Sequence, residues 1–404
     1  MSEAGLAAAA GGSRAGSLAV PVWVKGLVPL SVLGALAAVF LRFGPIGVFP
    51  GAFPPVEELT IERITLPRPG EIQVRVVNGG PEPSTIAQVL VDDAVWTHRI
   101  DGDRTLGRLE RRTITIPYPW VEGEPHEVSL MTRTGLTFTG RLGVATRTPV
   151  PDRRYIGALG LLGVYGGVIP VLLGLSWLPF LRALRRRWLD FFLCLTIGLL
   201  AYLAVDALAA ALERSTRVPG AFQGPALVLL GALGTPLIIA TLRERKQRAG
   251  TGPLSPRSVA GLVAVGVGLH NLGEGLAIGS AYATGEIALG TALAVGFLLH
   301  NSAQGLGIAA STAEAALRPG QLALLGAVAG VPAVLGTWIG GFSSSPLWTT
   351  LVFAVGGGAI LQAIAVLWRF LARRAEGRFA QPLHVAGLVL GLLVMYFTGL
   401  AVPV

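Results

Sequence analysis

The chain has 404 residues, 52% of them hydrophobic and only 14% charged, with a mean hydropathy of +0.63. So apolar a composition excludes an ordinary soluble enzyme and points to a polytopic membrane protein. The formal charge of +9 sits in particular loops and is no nucleic-acid signal, and the single cysteine, Cys194, excludes an intramolecular disulfide.

A hydrocarbon core of roughly 30 Å calls for about 20 apolar residues per helix. About nine stretches qualify: 23–42, 155–175, 189–211, 225–242, 258–282, 286–311, 320–341, 347–369 and 383–402. Ahead of the first lies a short Ser/Ala/Gly-rich tail, 1–22, with Arg14, and Lys25 stands at the start of the span itself. Arg42 directly after the apolar run, and the lack of a small-x-small cleavage site, favour a retained anchor helix over a signal peptide.

Residues 50–152 have another texture. "EIQVRVVNGG", "STIAQVLVDD", "RRTITIPYPW" and "TGLTFTGRLGVA" alternate apolar and polar residues between turn signals. Short strands over this length predict a compact β-sandwich of immunoglobulin-like shape. "VNGGPEP" reads as a turn, because no helix follows to make it a phosphate loop. Trp96, Tyr118 and Trp120 are expected in or against the domain's core, and the isolated His98 and His126 form no ligand-spaced cluster.

The remaining region, 155–404, is expected to be an eight-helix bundle. "LRALRRRW" (181–188), "RERKQR" (243–248) with Arg257, and "RFLARRAEGR" (369–378) join alternate pairs of spans, which predicts that these loops face the cytoplasm. The loops "ERSTRVPGAFQG", "YATGE" and "SSSP" then face the other way, together with the β-domain and the C-terminus, while the N-terminus is cytoplasmic. A multi-pass protein of the cell membrane is the expectation.

Ionisable groups inside apolar spans cost about 2.5–3.5 kcal/mol each on insertion scales, so each one raises a functional question. "LHNLGEGLAIG" (269–279) carries His270, Asn271 and Glu274 at helical spacings of three and four, on one side of a helix. The next span repeats the pattern, with His300, Asn301 and Gln304 in "LLHNSAQGLGIAA". A tight turn near Thr284 makes the two spans an antiparallel hairpin. His270 and His300 then lie about 14 and 16 residues from the turn, roughly 21–24 Å down at 1.5 Å per residue, and should meet at one depth. Two imidazoles, a carboxylate and amide oxygens suit Zn²⁺ and also accept Fe²⁺, Mn²⁺ or Co²⁺. The other reading is that these side chains bond one another as interhelical glue; the absence of a buried Lys or Arg for Glu274 favours the cation. Asp206, in "AYLAVDALAAALE", lies near the outer end of its span, where it would draw cations toward the path or simply see headgroup water.

The paired motifs resemble those of the Zrt/Irt-like (ZIP) divalent metal transporters, whose fourth and fifth helices carry HNxPEG-like sequences. The resemblance covers 155–404. It implies an eight-helix transporter fold, Zn²⁺ or Fe²⁺ as cargo, import by alternating access, and metal ligation by His270, Asn271 and Glu274 with His300, Asn301 and Gln304. Gly273 and Ala303 stand where the family has Pro, Gln304 where a second carboxylate is common, and "LALLGAVAGVPAVLGTWIG" lacks a bridging acid. Gln362 is the comparable polar group of the following span. A mononuclear site with one carboxylate is therefore expected. The metal is cargo, no prosthetic group is expected, and the lack of HExxH argues against an intramembrane metalloenzyme. The alternative is a ZIP-derived sensor or receptor that does not transport, its β-domain binding a protein partner. Lipid and a divalent cation are the expected partners, a homodimer is left open, and nucleic acid is not expected.

Overall fold

The computed structural model describes residues 22–43, 56–248, 255–342, 345–374 and 381–400. Most of the expected tail (up to residue 21) and the start of the expected β-domain (50–55) lie outside the described residues. The chain divides into two compact units, Met1–Pro55 and Val56–Val404. Within the first, helix α1 (Val22–Phe43) carries an apolar stretch, Leu27–Val39.

The second unit begins with an all-β domain. Strands β1 (Leu59–Arg68), β2 (Glu71–Asn78), β3 (Ser84–Val91), β4 (Ala94–Val95), β5 (Arg99–Ile100), β6 (Thr105–Leu106), β7 (Arg111–Ile116), β8 (His126–Thr132) and β9 (Thr137–Leu142) form two antiparallel sheets. One runs β1-β2-β7-β5; the other runs β4-β3-β8-β9, with β6 paired to β3. Alternation decides which face is inside. In β2, Val74 and Val76 are buried while Arg75 between them is exposed; in β8, Val128 and Leu130 are buried. These residues join Ile86, Ile114 and Ile116 in one core shared by both sheets, with Trp96, Tyr118 and Trp120 packed against it as expected. Asp92 and Asp93 turn the chain between β3 and β4 with φ of 50° and 65°, the left-handed pair that a two-residue hairpin requires. The four strands expected from alternation are present as β2, β3, β7 and β9, and β1, β8 and the two-residue strands β4, β5 and β6 add to them.

Among the described residues, eight helical segments are long and apolar enough to cross a membrane. The first, Arg153–Ala183, is broken into α2 (Arg153–Gly163), a π-turn (Val164–Val168), α3 (Ile169–Leu175) and α4 (Leu178–Ala183). The others are α5 (Arg186–Ser215), α6 (Gly224–Arg248), α7 (Pro256–Thr284), α8 (Ile287–Thr312), α9 (Pro319–Phe342), α10 (Pro346–Arg374) and α11 (Pro382–Leu400). Each expected span from 155 onward thus falls on helix within the described residues; 401–402, the end of the last one, lie outside them.

Small residues let these helices touch backbone to backbone. A Cβ added at Gly275 or Gly279 of α7 would stand 2.0 or 2.1 Å from the carbonyl oxygens of Ala333 and Thr337 on α9. The fit is reciprocal, because a Cβ at Gly336 or Gly340 of α9 would meet Leu272 O or Leu276 O at 2.2 Å. Without a hydrophobic drive between helices in lipid, such close approach supplies the dispersion and weak Cα–H···O contacts that hold the seam.

The β-domain holds the end of this bundle. Arg63 Nη2 donates to Ala283 O at 2.5 Å, Thr146 Oγ1 donates to Gly285 O at 2.6 Å, and Gly220 N donates to Glu58 Oε1 at 2.7 Å. Arg63 therefore meets a free carbonyl in the last turn of α7, where the helix dipole favours a cation. Beside these contacts lies a cleft of about 620 Å³, lined by residues including Glu58, Glu62, Arg214, Ser280 and Glu286. At the opposite end, Arg374 at the end of α10 bonds Asp190 of α5 at 2.8 Å and Glu314 just beyond α8 at 2.9 Å.

The seam generates a comparison within one helix. Gly275→Ala should destabilise the detergent-solubilised protein by about 1–3 kcal/mol through overpacking. Gly261→Ala, where nothing lies within 4 Å of an added Cβ, should be neutral or stabilising by about 0.5–1 kcal/mol. Thermal unfolding of the two variants side by side checks this, and equal losses would contradict the seam.

Candidate metal centre

The hairpin that carries the polar motifs is built by local rules. Ser255 caps α7, accepting from Ser258 N at 3.2 Å, and Pro256 occupies the first turn, where no N–H is needed. Gly285 ends the helix with φ of 88°, a left-handed conformation that suits glycine, and α8 starts at Ile287. So short a turn makes the helices antiparallel and pairs residues equidistant from it. The ring centroids of His270 and His300 lie 6.5 Å apart, so the two imidazoles do meet at one depth.

Glu274 is the centre of the group. Its Oε1 lies 2.8 Å from His270 Nε2, one turn back on α7, and 2.5 Å from His300 Nε2 on α8. Its Oε2 accepts from Asn301 Nδ2 at 2.9 Å. No Lys or Arg pairs with this carboxylate among the described residues, although its residue is only 3% exposed. His270 is equally buried. His270 Nε2 approaches Oε1 closely yet off the direction of a hydrogen bond, so it has proximity without a bond. His300 Nε2 is aligned with Oε1 at hydrogen-bond distance, so a single proton is shared between the imidazole and the carboxyl group.

Asn301 is positioned by a break in the first span. Pro170 stands four residues after Gly166 and has no N–H to return to Gly166 O, so the normal helical bond is missing there. The π-turn Val164–Val168 lies over this gap, and Asn301 Nδ2 donates to Gly166 O at 2.8 Å. The same amide nitrogen thus ties the first span to Glu274. Such π-turns recur at functional sites because they re-aim backbone groups. The signal was present as "GGVIP", a proline four residues beyond a glycine, but its partner on α8 could not be named from sequence.

Several buried polar atoms remain unbonded. They include Oδ1 of Asn301, Oδ1 of Asn271 and both amide atoms of Gln304, which is 1% exposed. Each such group carries a desolvation penalty of about 1–3 kcal/mol unless something else satisfies it. The structure separates the remaining expected residues. Asn271 directs Nδ2 to Ala329 O on α9 at 2.9 Å and makes no hydrogen bond to Glu274. Gln362 on α10 is buried with Nε2 unbonded, and Thr350 Oγ1 on the same helix is likewise buried and unbonded. Asp206 is exposed on α5, outside the cluster, where its charge acts on Arg214.

The donor set fits a cation. Ligand atoms from His270, Glu274 and His300 lie within 4.8 Å of one another, the one such trio of His, Cys, Asp or Glu among the described residues. Atoms each about 2.1 Å from a shared tetrahedral ion stand roughly 3.4 Å apart, so small side-chain rotations bring all three onto one ion. Asn301, whose Nδ2 already bonds Glu274, has an unbonded oxygen as a further hard ligand, and Gln304 lies one helical turn beyond His300 with both amide atoms unbonded. In the β-domain the comparable polar group serves structure instead. Asp92 Oδ2 bonds His126 Nδ1 and Tyr118 OH at 2.8 Å, and burial together with Asp92 pushes the Tyr118 hydroxyl up to about 12.

No family model matches this chain, and no curated protein matches it in sequence.

Two variants test the centre by metal content and titration calorimetry of purified protein. Glu274→Gln should reduce Zn²⁺ binding from one ion per chain to background. Pro170→Ala restores an N–H for Gly166 O, frees Asn301 from its anchor, and should weaken binding about 10–100-fold, as loss of an orienting partner does.

Proposed function

We propose that this protein carries divalent metal cations across a membrane, with Zn²⁺ the preferred cargo and Fe²⁺ or Mn²⁺ accepted, through a mononuclear site made by His270, Glu274, His300 and the amide oxygens of Asn301 and Gln304. One observation carries the reading: a buried carboxylate without a basic partner faces two imidazoles on two adjacent apolar helices, among polar atoms left unbonded. Asn271, which bonds Ala329 O on α9, and Gln362, buried on α10, are assigned secondary roles along the path. In this reading the chain is a divergent relative of the ZIP transporters, and its β-domain is an added immunoglobulin-like sandwich outside the cell. The basic loops support a cytoplasmic position for the Arg374–Asp190–Glu314 cluster.

The chemistry follows from the ligands. A cation arriving at Glu274 replaces the proton shared with His300 and takes the Nε2 lone pairs of both histidines, so binding releases protons to solvent. A single carboxylate leaves a bound divalent ion with excess positive charge in a low-dielectric bundle. That limits affinity and favours release. Alternating access requires the outer cleft and the cytoplasmic ion-pair cluster to open in turn, with import as the proposed direction.

A second reading is favoured by the grip of Arg63 and Thr146 on the turn of the metal-bearing hairpin. A β-domain so attached suits a sensor or receptor in which metal at Glu274 changes what the domain presents to a protein partner. Reconstitution separates the two. Vesicles containing the protein should take up Zn²⁺ or Fe²⁺, and His270→Ala or Glu274→Ala should reduce uptake to that of empty vesicles. Uptake no greater than that of empty vesicles for all first-row divalent ions, with stoichiometric binding retained, would establish the sensor reading in its place.

A further inference from the structure

A second cleft, of about 310 Å³, lies on another side of the junction between β-domain and bundle. Its β-domain wall includes Arg63, Arg75, Gln73 and Thr113; its other wall includes Tyr155 at the start of α2 and Phe342 at the end of α9. Arg63 and Arg75 face each other directly across β1 and β2. Like charges at paired positions destabilise a sheet, and no carboxylate lines this cleft to offset them. The nearby acids of the same strands are engaged elsewhere, Glu62 with Arg111 at 3.1 Å and Glu71 with Arg68 at 2.5 Å.

The two guanidiniums have donors to spare. Arg75 is exposed and has no hydrogen bond or ion pair among the described residues. Arg63 uses Nη2 on Ala283 O, while its Nε is buried and unbonded. Burial holds Arg63 below its ordinary value, with Tyr155 opposing and Arg75 adding to the effect. An anion between the two arginines would relieve the repulsion.

We propose that this cleft binds a phosphate group, of the kind an anionic phospholipid presents at the membrane surface. Phosphate matches the fork of a guanidinium bidentately, and Thr113 adds a neutral donor, while Gln73 Nε2 already donates to Glu71 Oε1 at 2.8 Å. The lipid source is indicated by the opposite wall. Tyr155 and Phe342 stack edge to face with centroids 6.0 Å apart, and they mark the ends of two helices of membrane-crossing length. Aromatic residues at such ends sit at headgroup level. The proposal does not depend on the metal site.

The test uses the full chain in detergent, followed by native mass spectrometry with dioleoylphosphatidylglycerol, dioleoylglycerol or inorganic phosphate added. Wild type should retain one phosphatidylglycerol and not dioleoylglycerol, which lacks the phosphate. Arg75→Gln should weaken that retention about tenfold, the scale of one lost charge-assisted pair. Arg75→Lys, which keeps charge but not the fork, should fall between. Arg141→Gln, outside the cleft, should behave as wild type. Binding of inorganic phosphate alone, weakened by Arg75→Gln, would also support the site and assign it to a free anion. Absence of both ligands from wild type, equal retention of dioleoylglycerol, or unchanged binding in Arg75→Gln would each overturn the proposal.

Discussion

The organisation of the bundle turns on one carboxylate held away from water. An isolated ionised group in an apolar interior is too costly to persist, so Glu274 must be met by donors or cations on every side. The chain meets it with imidazoles from two helices and with an amide that is itself anchored to the backbone of a third. The short turn sets α7 beside α8, and glycine lets α7 pack on α9 at backbone distance. On another face, a Cβ at Gly356 of α10 would stand 3.0 Å from His270 Cα. Packing and chemistry are thus parts of a single arrangement. A larger side chain at the seam would displace the helix that carries His270 and Glu274.

The β-domain is joined to the same helix from above. Its core is complete within its own two sheets, so its contacts with the bundle are not needed to bury apolar surface. They are polar and directed at helix ends: a guanidinium on Ala283 O, a hydroxyl on Gly285 O, a carboxylate on Gly220 N. Contacts of this type set position more than stability, because each replaces hydrogen bonds that water would otherwise make.

Much of this could be read from the sequence for physical reasons. Bilayer thickness fixes span length, so apolar runs reveal helices almost directly. A carboxylate and two histidines stand out in such runs, and helical spacing with a tight turn brings them together. Strand β8, "HEVSLMT", alternates like the others but follows a Pro-rich stretch, and β1, "LTIERITLPR", carries bulges that blur its alternation. Other features depend on partners distant in sequence. The amide of Asn271 could have faced Glu274 or Ala329, and spacing on one helix does not distinguish them. The exposure of Asp206 likewise depends on how α5 is rotated in the bundle, which its nearly uniform apolar surroundings do not encode. The docking of Arg63 on a residue 220 positions away leaves no local trace.

Two facts about the hairpin together restrict how the molecule can rearrange. Only Gly285 and Glu286 separate α7 from α8, and one oxygen of Glu274 is approached by histidines from both. In the proposed transporter, prising the two helices apart would separate the groups that hold the cation. On that reading the hairpin travels as a single piece, and any opening toward either surface comes from its neighbours sliding past it.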